Sequence, residues 1–174
     1  MINELYQKER DYERSVFGEY HNDPSLSFPS FLIFLEEYVK KAAEQGAKAI
    51  AITDHGTMHG AIEFYKACQK HNIKPIIGCE FYLTSSEMSS REDRTRYHQI
   101  LFATNEEAYH NLIKLSSLSF TEGYYYKPRI DRPTLARYSK GLIATTCCLQ
   151  GEVPQAILKK GEEAARKLFE EYLD

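Results

Sequence analysis

The feature that most restricts the fold is an alternation. Short apolar runs of strand length are separated by segments with helical spacing, and this repeats along most of the chain. Ala49 to Thr53, Ile73 to Leu83, about 97–104 and about 141–146 read as strands, and Ser15-Val16-Phe17-Gly18-Glu19-Tyr20 as a further short one. Between them, Phe31, Leu35, Tyr38, Val39 and Ala42 recur at three and four residues, which predicts a helix over 30–45. Ser30 is placed to cap that helix and Gly46 to stop it. Further helices are expected over 58–71, 106–118 (capped by Asn105) and 133–138, and the tail from 154 reads as helix broken at Gly161. Strand–helix alternation with connections of this length implies right-handed crossovers and a mostly parallel α/β sheet. Thr84 to Arg96 has no apolar periodicity and reads as a solvated loop, and Tyr124 to Arg129 reads as irregular. Residues 1–15 are polar and form an N-terminal extension, leaving 16–174 as one domain. The chain stops inside or just after a helix without a closing strand, so the expectation is a fold incomplete at its C-terminal end.

Composition narrows the partners. Lys and Arg total 22 against 25 for Asp and Glu, a net charge of −3. A free-standing nucleic-acid binder carries a strong basic excess, so only a local basic groove could play that part. With 43% hydrophobic and 27% charged residues, the chain is not a largely disordered one. Cys68, Cys79, Cys147 and Cys148 include no C-x-x-C pair, which excludes a zinc-finger spacing and a secreted disulfide framework. The polar start MINELYQKERDYER is no signal peptide, and the longest apolar run, Phe31 to Leu35, is far short of the roughly 20 residues that span a membrane. A reduced, cytoplasmic protein without membrane contact is expected.

Functional groups of parallel α/β folds gather at the carboxyl ends of the strands. His21 and Asp23 follow the first expected strand, Asp54-His55-Gly56 the second, and Cys147-Cys148 the last, while Glu80 lies late in the third. His98 begins its strand, so it reaches the same end only if that strand is antiparallel. Imidazole, carboxylate and thiolate are donors for zinc or manganese, and donors from separate loops suit a multinuclear hydrolase site better than a structural zinc site. Each residue also has a plainer reading: Asp54 as a helix N-cap, Cys148 as a small buried hydrophobe, His98 as a core histidine. Glu80 resists one, because an unpaired carboxylate in an apolar strand is costly. On the residues alone, both readings stand.

Ala49-Ile50-Ala51-Ile52-Thr53-Asp54-His55-Gly56, Gly60 to Cys68, and Ile73-Lys74-Pro75-Ile76-Ile77-Gly78-Cys79-Glu80 together resemble the polymerase and histidinol phosphatase (PHP) domain. Lys127-Pro128-Arg129-Ile130-Asp131 and Gly141 to Glu152 continue the likeness in order. It is most like the version at the N-terminus of bacterial replicative DNA polymerase III alpha subunits. The resemblance implies a distorted TIM-like (β/α)7 barrel with a metal cleft, of which this chain holds the N-terminal two-thirds. It implies phosphoester hydrolysis, linked in some polymerases to a metal-dependent 3′–5′ exonuclease. By the same resemblance, His21, His55, Glu80, His98 and Cys148 match ligand positions. Asp23 replaces the second histidine of the family's first His-x-His motif, and Ser30 stands where the family is acidic. The family's closing Asp-x-His has no counterpart before Asp174. The implied cofactor is zinc or manganese at weak or partial occupancy, and the chain alone is expected to be inactive as a phosphoesterase. The implied role is scaffolding or exonuclease within a DNA polymerase III holoenzyme, the partner being its remainder, with DNA contacted only through the larger polymerase. A stand-alone metal-dependent phosphoesterase and a metal-free interaction module are the alternatives.

Overall fold

A computed structural model describes residues 29–173, with side chains from Leu35 onward. The expected extension and first strand, with His21 and Asp23, lie outside the described residues. Among those described, five strands form one sheet: β1 (Ala49–His55), β2 (Lys74–Leu83), β3 (Tyr97–Ala103), β4 (Arg129–Ile130) and β5 (Leu142–Ala144). The order is β1-β2-β3-β5. β4 pairs with Tyr82 and Leu83, past the point where β1 leaves β2 at the His55–Glu80 pair.

The sheet is mixed, which corrects the expectation of a mostly parallel one. β1 and β4 run parallel to β2, but β3 is antiparallel to both β2 and β5. The cause lies in the connection. A parallel neighbour needs a crossover, usually a helix, over the sheet face. The segment between β2 and β3, residues 84–96, forms no helix, so the chain turns back beside the strand it has left.

Six helices accompany the strands among the described residues: α1 (Pro29–Glu44), α2 (Ala61–Lys70), α3 (Glu106–Thr121), α4 (Arg132–Arg137), α5 (Glu152–Lys160) and α6 (Glu162–Glu170). α1 begins at Pro29, so Ser30 lies within its first turn rather than capping it; proline suits that turn because it has no N–H to leave unpaired. α1 ends as expected on Gly46, at φ +83°, with Gly46 N–H on the Ala43 carbonyl and Ala47 N–H on that of Ala42. Asn105 caps α3, its Oδ1 accepting from Ala108 N at 2.9 Å. Gly161, at φ +87°, breaks the tail into α5 and α6.

Strand parity decides what faces where. Ile50, Ile52 and Ile77 pack beneath Leu35, Val39, Phe64, Ala67 and Cys68 of α1 and α2. Along the same face, Cys79, Phe81, Leu83 and Leu101 pack against Leu112 and Leu115 of α3, with Ile130 and Leu135. The long helices thus cover one face of the sheet. The alternate residues His55, Glu80, Tyr82 and His98 lie on the other.

The 84–96 loop is pinned rather than loose. Arg129, 1% exposed, donates from Nε to the Gly123 carbonyl, from Nη1 to that of Asp93, and from Nη2 to those of Met88 and Ser90. Asp131 caps α4 through Thr134 N and accepts from Met88 N, both at 2.9 Å. No helix among the described residues is long and apolar enough to cross a membrane.

Candidate metal centre

The structure brings four of the six expected site residues to one end of the sheet, three of them through strand register. β1 pairs with β2 so that His55 stands opposite Glu80. β2 pairs with β3 so that His98 stands opposite Tyr82, one diagonal step from Glu80 on the same face. The reversed strand is therefore what carries His98 to the carboxyl ends of β1 and β2. His55 Nδ1 lies 3.3 Å and His98 Nδ1 2.6 Å from Glu80 Oε1.

Cys148 arrives by the loop beyond β5. That loop stays tied to β3: Thr145 N donates to the Ile100 carbonyl, Gln99 Nε2 to the Thr145 carbonyl, and His98 N to the Gln150 carbonyl. Cys147 takes φ +59° in the bend. Cys148 Sγ then lies 3.5 Å from His98 Nδ1 and accepts from Gln150 N. Cys148 is exposed, so it is no buried hydrophobe, and His98 is only half-buried, so it is no core histidine. His21 and Asp23 lie outside the described residues.

The Asp54-His55-Gly56 turn is built from below. Gly56, at φ +67°, donates to the Glu80 carbonyl at 2.8 Å, and a Cβ there would lie 2.9 Å from Pro128 Cγ. Asp54 Oδ2 accepts from Gly60 N, the residue before α2, which is a capping role. The fully buried Cys79 thiol donates to the Asp54 and Thr57 carbonyls. Tyr82 stands edge-on to His98, with ring centroids 5.5 Å apart. Tyr82 and Cys79 were not singled out from sequence; Tyr82 follows from Glu80 by two residues once the reversal of β3 is known.

Electrostatics separate the donors. Burial pushes the Glu80 carboxyl up, but the adjoining His55 imidazole, by contact and charge, and the charge of His98 bring it below the usual range. Burial lowers His98; Glu80 opposes this, while His55 and Arg96 add to it. Burial raises the Cys147 thiol to about 11 and pushes Cys79 higher still, so both remain thiols.

The chemistry of this set, one carboxylate, two imidazoles and a sulfur, suits zinc or manganese. Glu80 Oε1 is buried, and its near polar neighbours are the two imidazoles, His55 Nδ1 at 3.3 Å and His98 Nδ1 at 2.6 Å. Two donors of one tetrahedral zinc sit about 3.3–3.7 Å apart. The His55–Glu80 and His98–Cys148 separations match that, whereas the 2.6 Å between His98 and Glu80 is too short. Accordingly, among the described residues no three His, Cys, Asp or Glu side chains are arranged to hold an ion. The donors fit a metal in kind, and His98 and Glu80 must part to hold one.

Comparison with known proteins places the chain. DNA polymerase III subunit alpha of Chlamydia trachomatis is 48% identical over 139 residues, covering 78% of this chain and 11% of that protein. The proteins of the same name from Helicobacter pylori and Borreliella burgdorferi are 44% and 43% identical, over 81% and 88% of this chain. The chain spans only 11–14% of the length of these relatives. Among solved structures, a candidate metal-dependent phosphoesterase from Bifidobacterium adolescentis covers 75% of this chain and 49% of its own at 17% identity, with a TM-score of 0.31, too loose a superposition to assign topology. The family model for the PHP domain matches residues 19–174. With nine-tenths of its length inside that match, the chain belongs to the PHP domain family.

Proposed function

We propose that the chain is a metal-holding PHP module of a bacterial replicative DNA polymerase III alpha subunit, working in DNA replication alongside the rest of that polymerase. The observation that carries this is the convergence of His55, Glu80, His98 and Cys148 from four separate segments on one end of the sheet. Its sheet is part of the family's distorted (β/α)7 barrel, a reading supported by β1, β2, β4 and β5 sharing one direction.

Zinc or manganese, when bound, would supply a Lewis acid at that end. His55, Glu80, His98 and Cys148 would hold it, with His21 and Asp23 from the preceding segment. This chain's own residues prepare the place. Gly56 fixes the turn that presents His55, and the Gln150 amide fixes Cys148. The buried Glu80 stays ionised at neutral pH because two imidazoles adjoin it. Asp23 and Ser30 depart from the family's ligand pattern, so the role is scaffolding rather than turnover.

Cobalt substitution tests this. Cobalt added to the chain is expected to give a sulfur-to-metal charge-transfer band that Cys148→Ser abolishes. No band, or a band unchanged in that variant, would overturn the reading. Brisk phosphoester hydrolysis abolished by His55→Ala would favour the stand-alone enzyme instead.

A further inference from the structure

Of the four cysteines, Cys68 and Cys79 are fully buried, whereas Cys147 is half-buried and Cys148 exposed. The donor cluster uses only Cys148. Cys147 precedes it in a turn that is tied at both ends. Thr145 N donates to the Ile100 carbonyl, Gly151 N to the Cys148 carbonyl at 2.8 Å, and Gln155 Nε2 to the Leu149 carbonyl at 2.6 Å. The turn closes so tightly that a Cβ on Gly151 would lie 2.3 Å from the Thr146 carbonyl oxygen.

In an extended strand, neighbouring side chains point to opposite faces. Cys147 instead takes φ +59°, a left-handed conformation that a residue with a Cβ adopts only at a cost, and its amide donates to Thr145 Oγ1 at 3.2 Å. The bend breaks the alternation. Cys148 Sγ lies 3.5 Å from His98 Nδ1, and both the Cys148 side chain and the Glu80 charge act on the Cys147 thiol. The two sulfurs therefore share the side of the turn that faces the donor cluster.

We propose that Cys147 and Cys148 are a modification site: under hydrogen peroxide they close into a reversible disulfide, which takes Cys148 away from the metal end. The loss of that donor rests on the metal-holding reading above; the disulfide itself does not. The exposed Cys148 sulfur attacks one peroxide oxygen, the O–O bond breaks, and the other oxygen leaves as water with the thiol proton. Cys148 is then a sulfenic acid. The Cys147 sulfur attacks it, an S–S bond forms, the S–O bond breaks, and hydroxide leaves as water with the Cys147 proton. Two thiols are oxidised by two electrons and one peroxide is reduced to two waters. Adjacent Cα atoms stand about 3.8 Å apart across a trans peptide, less than the roughly 4.4–6.8 Å of ordinary disulfides. Such a bond is strained and easily reduced, which suits a transient switch rather than a permanent staple. Without Cys147, the sulfenic acid would go on to sulfinic acid, which thiols do not reverse. Cys147 thus keeps the loss of the donor recoverable.

The test uses the 174-residue chain, freed of metal by a chelator and treated with excess hydrogen peroxide. Thiols counted after unfolding are expected to fall from four to two, with the intact mass lower by two hydrogens and a digest placing the loss on the peptide that holds Cys147 and Cys148. Cys68 and Cys79, being buried, should stay reduced. Glycine accepts φ +59°, so Cys147→Gly removes the sulfur and keeps the bend, and circular dichroism checks that it folds. That variant is expected to gain two oxygens at Cys148 instead. A wild type that keeps its four thiols, or that oxidises without a Cys147–Cys148 bond, would overturn the proposal. In a second arm the zinc-loaded chain is treated likewise and released zinc is read with a chromogenic chelator. Wild type and variant are both expected to release zinc, and after dithiothreitol only the wild type should bind it again. Zinc retained by the disulfide form, or bound again by Cys147→Gly, would overturn the switch. An untreated chain that takes up no zinc would overturn the metal reading and with it the switch, and leave the disulfide standing or falling on the first arm.

Discussion

Replacing Arg129 with methionine is expected to cost the fold about 4 kcal/mol. The guanidinium is buried and donates to four carbonyls, of Gly123, Asp93, Met88 and Ser90. Burial lowers its pKa, so the cation is held at a cost that the four bonds must offset. A thioether fills much of the volume but supplies no donor. Each carbonyl left dry and unpaired costs about 1–3 kcal/mol, and the loop lies at the surface, so about two of the four would stay dry. That gives about 2–6 kcal/mol, centred on about 4. For a domain of this size the melting temperature should fall by about 8–16 °C. Lysine at the same place keeps the charge but not the planar fork, and should recover less than half of the loss. Urea unfolding measures this through a lowered midpoint at unchanged slope. A loss below about 1 kcal/mol for Arg129→Met, or full recovery by Arg129→Lys, would refute the argument that this side chain pins the loop.

Asn105→Ala should lower stability by about 1 kcal/mol, read in the same urea experiment, because it removes the cap of α3. Gly56→Ala meets both a left-handed backbone and Pro128 Cγ at 2.9 Å; it should cost about 2 kcal/mol or more and reduce zinc uptake by displacing His55. His98 has a depressed folded pKa, so below about 6.5 the unfolded chain takes up a proton that the folded chain resists. In the presence of a chelator, wild-type stability should therefore fall as pH drops from about 7 to about 5.5, and His98→Gln should flatten that fall; parallel profiles would count against it.

The sequence already showed the alternation of β1, α2, β2, β3 and α3 because their cores are built on strong periodicity, as in Phe64, Ala67 and Cys68 or Phe81 and Leu83. Gly46, Asn105 and Gly161 marked element ends because their local chemistry is specific. The direction of β3 was less legible. It depends on residues 84–96 failing to form a crossover, which is an absence of pattern rather than a pattern. His98 was the one hint, since it joins the other donors only on a reversed strand. The loop-pinning role of Arg129 and the place of Tyr82 beside His98 are not legible for a related reason: they come from partners 36–41 residues distant or across the sheet, beyond any local spacing. Asp54 shows the reverse, a residue of suggestive type whose observed partner is the amide of Gly60.

The central claim is that the end of the sheet bearing His55, Glu80, His98 and Cys148 holds a metal ion. Zinc titration with elemental analysis of the whole chain tests it most directly, beside a His55→Ala, Glu80→Ala double variant shown by circular dichroism to be folded. The wild type is expected to take up zinc, with affinity falling as pH drops through about 6.5 because the imidazoles must be unprotonated to bind, and the double variant is expected to take up none at this site. Equal zinc content in the two proteins, or none in either, would contradict the account.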